Sequence, residues 1–238
     1  MKQLVLAAVA GLALLGAAGP ASAGIVYSSN FSTLTAPGFT VTGAQGDPNP
    51  AGVITAPNGL SFIGILTQGA DAQLNLTGLA PHSTVTISYD LYAIRSVDGD
   101  GTSYGPDYFS FKVDGTTVTN YTFGFPGNTQ SYPVAGSPGE SGAVANDPNA
   151  FGYGSYYDGA LTYSFTQQLV DSAAGLTLDF IGNSNQPWND EGFGINNVVV
   201  TTDAISAVPL PGALSMFGAA LFGIGAMGAG TRKWRMAV

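Results

Sequence analysis

Across residues 84–92 the chain alternates without a break: Val85, Ile87, Tyr89 and Leu91 fall on one side, Thr84, Thr86, Ser88 and Asp90 on the other. A period of two sends successive side chains to opposite faces, so this stretch is a β-strand with one buried face. Nowhere does the body of the chain sustain a helical period instead. Shorter alternating or β-branched runs recur at 25–31, 39–42, 59–66, 72–76, 108–113, 116–123, 159–165, 176–182 and 194–201, separated by clusters of Gly, Pro, Asn and Ser. Asp114-Gly115 supplies the turn of a hairpin between two of them. The expected fold is all-β: an antiparallel β-sandwich of jelly-roll or concanavalin-like type. A solenoid is the lesser alternative, and no fixed period of about 20 to 50 residues supports it.

The two ends read differently. Met1-Lys2, an apolar run from Leu4 to Leu15, the helix-breaking Gly19-Pro20 and the small residues Ala21-Ser22-Ala23 form a secretory signal peptide, residues 1–23, with cleavage after Ala23. At the other end, residues 212–230 carry no charge, and Ser215 is the one polar side chain among them. As a helix at about 1.5 Å per residue, that run approaches the roughly 30 Å of a bilayer's hydrocarbon core. Arg232, Lys233 and Arg235 follow in the basic end 231–238 and orient such a helix with the C-terminus in the cytoplasm. Pro209 and Pro211 mark its outer edge, since proline fits a helix interior poorly. A buried C-terminal helix of a soluble domain is the alternative, but such a helix rarely lacks a polar face.

This order of signal peptide, exported domain, Val208-Pro209-Leu210-Pro211-Gly212, Gly/Ala-rich helix and Arg-rich end resembles the PEP-CTERM sorting architecture. Residues 208–212 are similar to its VPLPA variant, with Gly212 where that pattern has Ala. The resemblance implies export by a Gram-negative bacterium that makes exopolysaccharide. It also implies recognition of the tail by an exosortase-type membrane enzyme, with the protein anchored facing outward and then placed on the cell surface or in the matrix.

Between the targeting segments lies one expected domain, residues 24–207. All fifteen acids lie in it, with Arg95 and Lys112 as its cations, for a formal charge of −13. A surface without a basic patch is a poor partner for nucleic acid or anionic headgroups; divalent cations and neutral sugars suit it better. The chain has no cysteine, which excludes disulfides and thiolate chemistry.

Two long loops interrupt the strand pattern, 95–107 and 125–158. Loops of such length are usually functional or mobile. The first crowds Asp98, Asp100 and Asp107 among glycines, and Asp190-Glu191 enters the last strand. Hard cations such as Ca²⁺ take six to eight oxygens, and these five acids are candidates for one such site. The competing reading, and the one the sequence favours, is a set of solvated turn acids, because Asp favours turns. The spacing is not that of an EF-hand: Ser103 and Phe109 stand where its Gly and Glu belong. Tyr104, Tyr132, Tyr153, Tyr156, Tyr157 and Trp188 lie on or beside the loops. They either stack on sugar rings or pack the loops onto the sandwich.

The pattern of Ser96, Asp98, Gly99, Gly101, Gly105-Pro106-Asp107, Phe109 and Asp114-Gly115, then residues 130–133 and Asp190-Glu191, Gly194 and Asn197, resembles a secreted bacterial β-sandwich domain of uncharacterised surface proteins. That domain is broadly similar to concanavalin-like and carbohydrate-binding sandwiches, and the resemblance implies fold rather than activity.

Enzyme chemistry finds little to work with. The two glutamates are Glu140 and Glu191, and adjacent Asp190 and Glu191 point to opposite faces of a strand rather than across a sugar. His82, the one histidine, follows Pro81 and reads as a surface turn residue. The expectation is a non-enzymatic surface or matrix protein that binds exopolysaccharide through its loops. The alternatives are a structural or adhesive protein with protein contacts and, less so, a glycan-active enzyme.

Overall fold

The computed structural model describes residues 24–101, 103–154 and 159–203. The expected signal peptide, the sorting tail with its span at 212–230, Tyr156 and Tyr157 lie outside the described residues. Among the described residues no helix is long and apolar enough to cross a membrane.

The alternating run of residues 84–92 becomes the long central strand of the fold. In chain order the strands are β1 (Gly24–Ser29), β2 (Phe39–Thr42), β3 (Val53–Thr55), β4 (Ser61–Leu66), β5 (Ala70–Thr77), β6 (Thr84–Arg95) and β7 (Tyr108–Val113). There follow β8 (Thr116–Thr122), β9 (Thr129–Gln130), β10 (Ser137–Pro138), β11 (Ala145–Asp147), β12 (Ala160–Val170), β13 (Gly175–Asn183) and β14 (Glu191–Thr202). One sheet runs β11-β12-β6-β14-β4-β3, with β1 also paired to β14; the other runs β2-β5-β13-β7-β8; β9 and β10 form a small ladder. Every strand pairing is antiparallel. The expected all-β antiparallel sandwich is the fold the chain adopts.

The core lies between the two sheets. Val85, Ile87, Tyr89 and Leu91 of β6 face Phe109 and Phe111 of β7 and Leu176, Leu178 and Phe180 of β13. Tyr89 is its hub, with ring centroids 5.3 Å from Phe111, 5.2 Å from Phe165 and 5.1 Å from Phe180. Aromatic pairs at such distances contribute about 0.5–1.5 kcal/mol each beyond the area they bury.

The other face of the large sheet is solvated at one end and covered at the other. β6 alternates half-buried and buried residues from Thr84 to Leu91, then stays buried from Tyr92 to Arg95. There a second small core forms on the outside, with Phe62, Ile65, Tyr92, Ile94 and Phe151 at its centre. Alternation therefore stops at Leu91 because both faces of β6 are covered beyond it.

Four strands escape the sequence pattern: β3, β9, β10 and β11, of two or three residues each. A run that short shows no period. Three of them lie in the expected loop 125–158, together with a 3₁₀ turn at Ala150–Gly152. The described part of that segment, 125–154, is consequently more ordered by pairing than its Gly- and Pro-rich composition implies.

His82 corrects an expectation. It is not at the surface: 1% of it is exposed. Its Nδ1 lies 2.7 Å from the Ala80 carbonyl and its Nε2 2.9 Å from Asp171 Oδ1, which ties the turn before β6 to the turn after β12. Its pKa is raised, first by the hydrogen bond to Ala80, against burial, and further by Asp171 and Asp203. A raised folded pKa makes protonation favour the folded state. The His82 contribution is thus complete below about pH 6.5 and lost as pH rises through the folded pKa. Replacing His82 by Ala should cost about 1–3 kcal/mol in urea denaturation. The difference between wild type and His82→Gln should shrink as pH rises from 6 towards 8; a difference that grows would contradict this reading.

Candidate functional site

The strands β6 and β14 pair in a register that sets Arg95 opposite Glu191 at one end of the large sheet. Two features meet at that end, a buried carboxylate cluster and an aromatic-walled cleft.

The cluster is Asp98, Asp107 and Glu191, each offering a carboxylate oxygen within 4.8 Å of the others. Asp107 and Glu191 are both 0% exposed. Backbone amides hold part of each group. Asp98 N–H donates to Asp107 Oδ2 at 2.6 Å, Asn185 N–H to Asp107 Oδ1 at 3.2 Å, and Gln186 N–H to Glu191 Oε1 at 3.0 Å. Glu191 Oε2 is buried and has no hydrogen-bond partner. Burial first, and then the neighbouring Asp107 charge, pushes the Glu191 carboxyl up to about 9. Burial likewise raises Asp107, against the Asp98 N–H bond that lowers it.

The β6–β7 loop is folded tightly to bring Asp98 and Asp107 together. Asp107 N–H donates to the Gly99 carbonyl at 3.0 Å, and Asp100 N–H to the Thr129 carbonyl at 2.9 Å. Gly99 sits at φ +69°, and a Cβ there would stand 2.0 Å from the Thr129 oxygen. No other residue fits that position without moving β9.

The expected five-acid site is therefore not one site. Asp100 turns away to Thr129 Oγ1 at 2.6 Å. Asp190 accepts from Ser96 Oγ at 3.2 Å and lies outside the cluster. Asp190 closes the turn before β14, its N–H donating to the Pro187 carbonyl at 2.8 Å, whereas Glu191 opens the strand.

The cleft, of about 570 Å³, is lined by residues 46–49, 53–55 and Pro57, by Leu34, and by Tyr153 and Trp188. Arg95 builds its wall. The guanidinium carbon lies 4.8 Å from the Tyr153 ring centre and 5.2 Å from that of Trp188, and Nη1 donates to the Trp188 carbonyl at 2.7 Å. Each cation–π contact is worth about 0.5–2 kcal/mol, more as water is excluded. The two rings are thus held from one side by a buried cation, while they border the cleft. Asp47 is exposed on the cleft lining.

The expected sugar-contacting aromatics divide in the same way. Trp188 and Tyr153 border the cleft. Tyr104 is 66% exposed, apart from the cleft lining, and its carbonyl accepts from the Asn185 side-chain amide. Tyr132 is half-buried and packs against the main core instead, its ring 5.1 Å from Phe165 and 5.6 Å from Tyr163. Sequence reasoning missed Arg95 as the pin of the aromatic wall. A lone cation ending the strongest strand was the one available signal. It also missed Asp47 and the 46–57 lining, for which no local pattern exists.

No protein-family model matches the chain, and no curated protein matches it. Among solved structures it is similar to the C-terminal CBM6 of LamC, a marine laminarinase of Zobellia galactanivorans, at 12% identity over 68% of this chain and 90% of that one, TM-score 0.34. It is similar to the K3 cleaved adhesin domain of Lys-gingipain from Porphyromonas gingivalis at 11% identity over 75% and 100%, TM-score 0.45. A third is CBM35 from Paenibacillus barcinonensis, at 15% identity over 76% and 98%, TM-score 0.35. Likenesses this loose carry no ligand or activity over to this chain.

Arg95→Ala should cost about 2–4 kcal/mol, since it removes a buried hydrogen bond and two ring contacts together. In a Trp234→Phe background it should also shift Trp188 emission to the red. Unchanged emission would show that Arg95 does not hold the wall.

Proposed function

We propose that this chain is an exported, non-catalytic β-sandwich protein of the bacterial surface or matrix that binds polysaccharide in the cleft beside Trp188. The observation that carries the reading is the wall itself: Trp188 and Tyr153 bordering a cleft of about 570 Å³, both rings fixed by Arg95. Flat apolar rings meet the C–H face of a pyranose, and their fixed position lowers the ordering cost of binding. Asp47 adds an exposed acceptor for sugar hydroxyls.

Binding without cleavage fits the carboxylates. Hydrolysis needs two facing each other across the bond, about 5–10 Å apart. Asp47 is the one carboxylate of the cleft lining. The Asp98, Asp107 and Glu191 groups lie within 4.8 Å of one another, and Asp107 and Glu191 are buried.

Delivery rests on the two ends of the chain. The signal-peptide pattern of residues 1–23 supports export, and residues 208–238 support sorting through an exosortase-type enzyme, with the apolar run 212–230 as the membrane anchor before processing. Mass spectrometry of the protein from its own cells should give a mature chain that starts at Gly24 and ends near Pro211. A mass retaining Arg235 would mean a permanent anchor.

Calorimetric titration of the full-length chain with the producing cell's exopolysaccharide should show saturable binding. Asp47→Ala should weaken it about tenfold, roughly 1.4 kcal/mol, without moving the melting temperature, and Trp188→Ala should weaken it more. No binding by wild type, with self-association in its place, would turn the reading to the structural or adhesive alternative.

A further inference from the structure

We infer that Asp98, Asp107 and Glu191 form a Ca²⁺ site that ties the β6–β7 loop to the segment 184–191 between β13 and β14. The inference is independent of the polysaccharide reading. Three observations support it, the first being proximity: three carboxylate oxygens within 4.8 Å of one another. Two of these groups belong to fully buried residues, and burying a charge is costly unless something compensates it. The groups acting most strongly on Glu191 are themselves acids or a backbone amide, namely Asp107, Asp98 and the Gln186 N–H.

The second is the oxygen without a donor. Glu191 Oε1 accepts from Gln186 N–H at 3.0 Å, while Oε2 is buried and receives no donor, and the neighbouring polar side chain is the Asp107 carboxyl, another acid. A buried acceptor left unmade costs about 1–3 kcal/mol, more when charged. A divalent cation at the junction of the three groups supplies the missing partner for Oε2 and offsets two of the three carboxylate charges.

The third is the kind of donors. They are all carboxylate oxygens, with no histidine or cysteine near, and Ca²⁺ is the hard cation that takes such oxygens in flexible geometry with waters filling the remaining positions. The three come from the β6–β7 loop and the first residue of β14. The segment between β13 and β14 already touches both sides, through Asn185 N–H to Asp107 and Gln186 N–H to Glu191. Closing this junction with a cation would add a charge-bearing crosslink to the hydrogen bonds that already join the two segments, among them Asn185 Nδ2 to the Tyr104 carbonyl and Gln186 Nε2 to Asp98 Oδ2 at 3.5 Å.

The test uses the full-length chain in mild detergent, stripped with EDTA and exchanged into cation-free buffer, then titrated with CaCl₂ by calorimetry and by thermal unfolding. One site is expected, with Kd on the order of 0.1–1 mM or tighter. At about 100 times Kd the melting temperature should rise by about 5–10 °C. Glu191→Gln and Asp107→Asn should each abolish both responses, whereas Asp114→Asn, a distant exposed acid, should leave them in place. Gln at 191 keeps the shape and imitates a protonated glutamate. If a shared proton rather than a cation holds the carboxyl pair, wild type will show neither heat nor a shift at 10 mM CaCl₂, and the inference fails. It fails equally if Asp114→Asn removes as much of the response as Glu191→Gln, which would mean diffuse attraction to an acidic surface.

Discussion

The pairing of β6 along both of its edges is the constraint on which the rest depends. β12 runs beside it in unbroken register from Ala160↔Ile94 to Val170↔Thr84, and β14 covers the other edge from Glu191↔Arg95 to Thr202↔Val85. A strand paired on both edges satisfies its backbone groups without water, so both its faces are free to be buried. One face is buried along its length against the second sheet, where Tyr89 meets Phe111, Phe165 and Phe180. The other is buried only beyond Leu91, where the outer cluster of Phe62, Tyr92 and Phe151 closes over it.

That second cover places the candidate site. Because β6 continues past the central core to Arg95, its last residue carries a cation into a dry corner, and Tyr153 and Trp188 close around it. The chain then turns directly into Asp98, and the partner strand starts at Glu191. The aromatic wall and the carboxylate cluster are thus two outcomes of one register. A slip of one residue would exchange the faces of β14 and destroy both. Asn197, at φ +49°, sits within the irregularity between Asn196 and Val199, where β14 departs from simple alternation. On either side of it, Ile195 and Val198 both reach the core.

Much of the fold was legible in the sequence. Ten strands follow alternating or β-branched runs, since a half-buried strand writes its period into the chain. The misses have physical reasons. β9, β10 and β11 are too short to carry a period and exist because neighbouring backbone pairs with them. His82 reads as a turn residue because Pro81 and Ser83 flank it, yet Asp171, far along the chain, draws it inside. Tyr132 and Trp188 look alike as loop aromatics; one packs half-buried against the main core and the other borders the cleft. No local rule separates them, because burial depends on what the opposite sheet leaves unfilled.

By itself the sequence determined the class of fold, the acidity of the domain, the absence of thiol chemistry and the presence of acids and aromatics in the long loops. Those properties belong to residue type and local spacing. Tertiary structure decided which acids meet, Asp98 and Asp107 with Glu191 rather than with Asp100 or Asp190, and which aromatics border the cleft. It also made Arg95 the support of that wall. The decision is tertiary because Asp98 and Asp107 meet Glu191, and Arg95 meets Trp188, across about 85–95 residues of chain, and their distance in space is set by the pairing of β6 with β14.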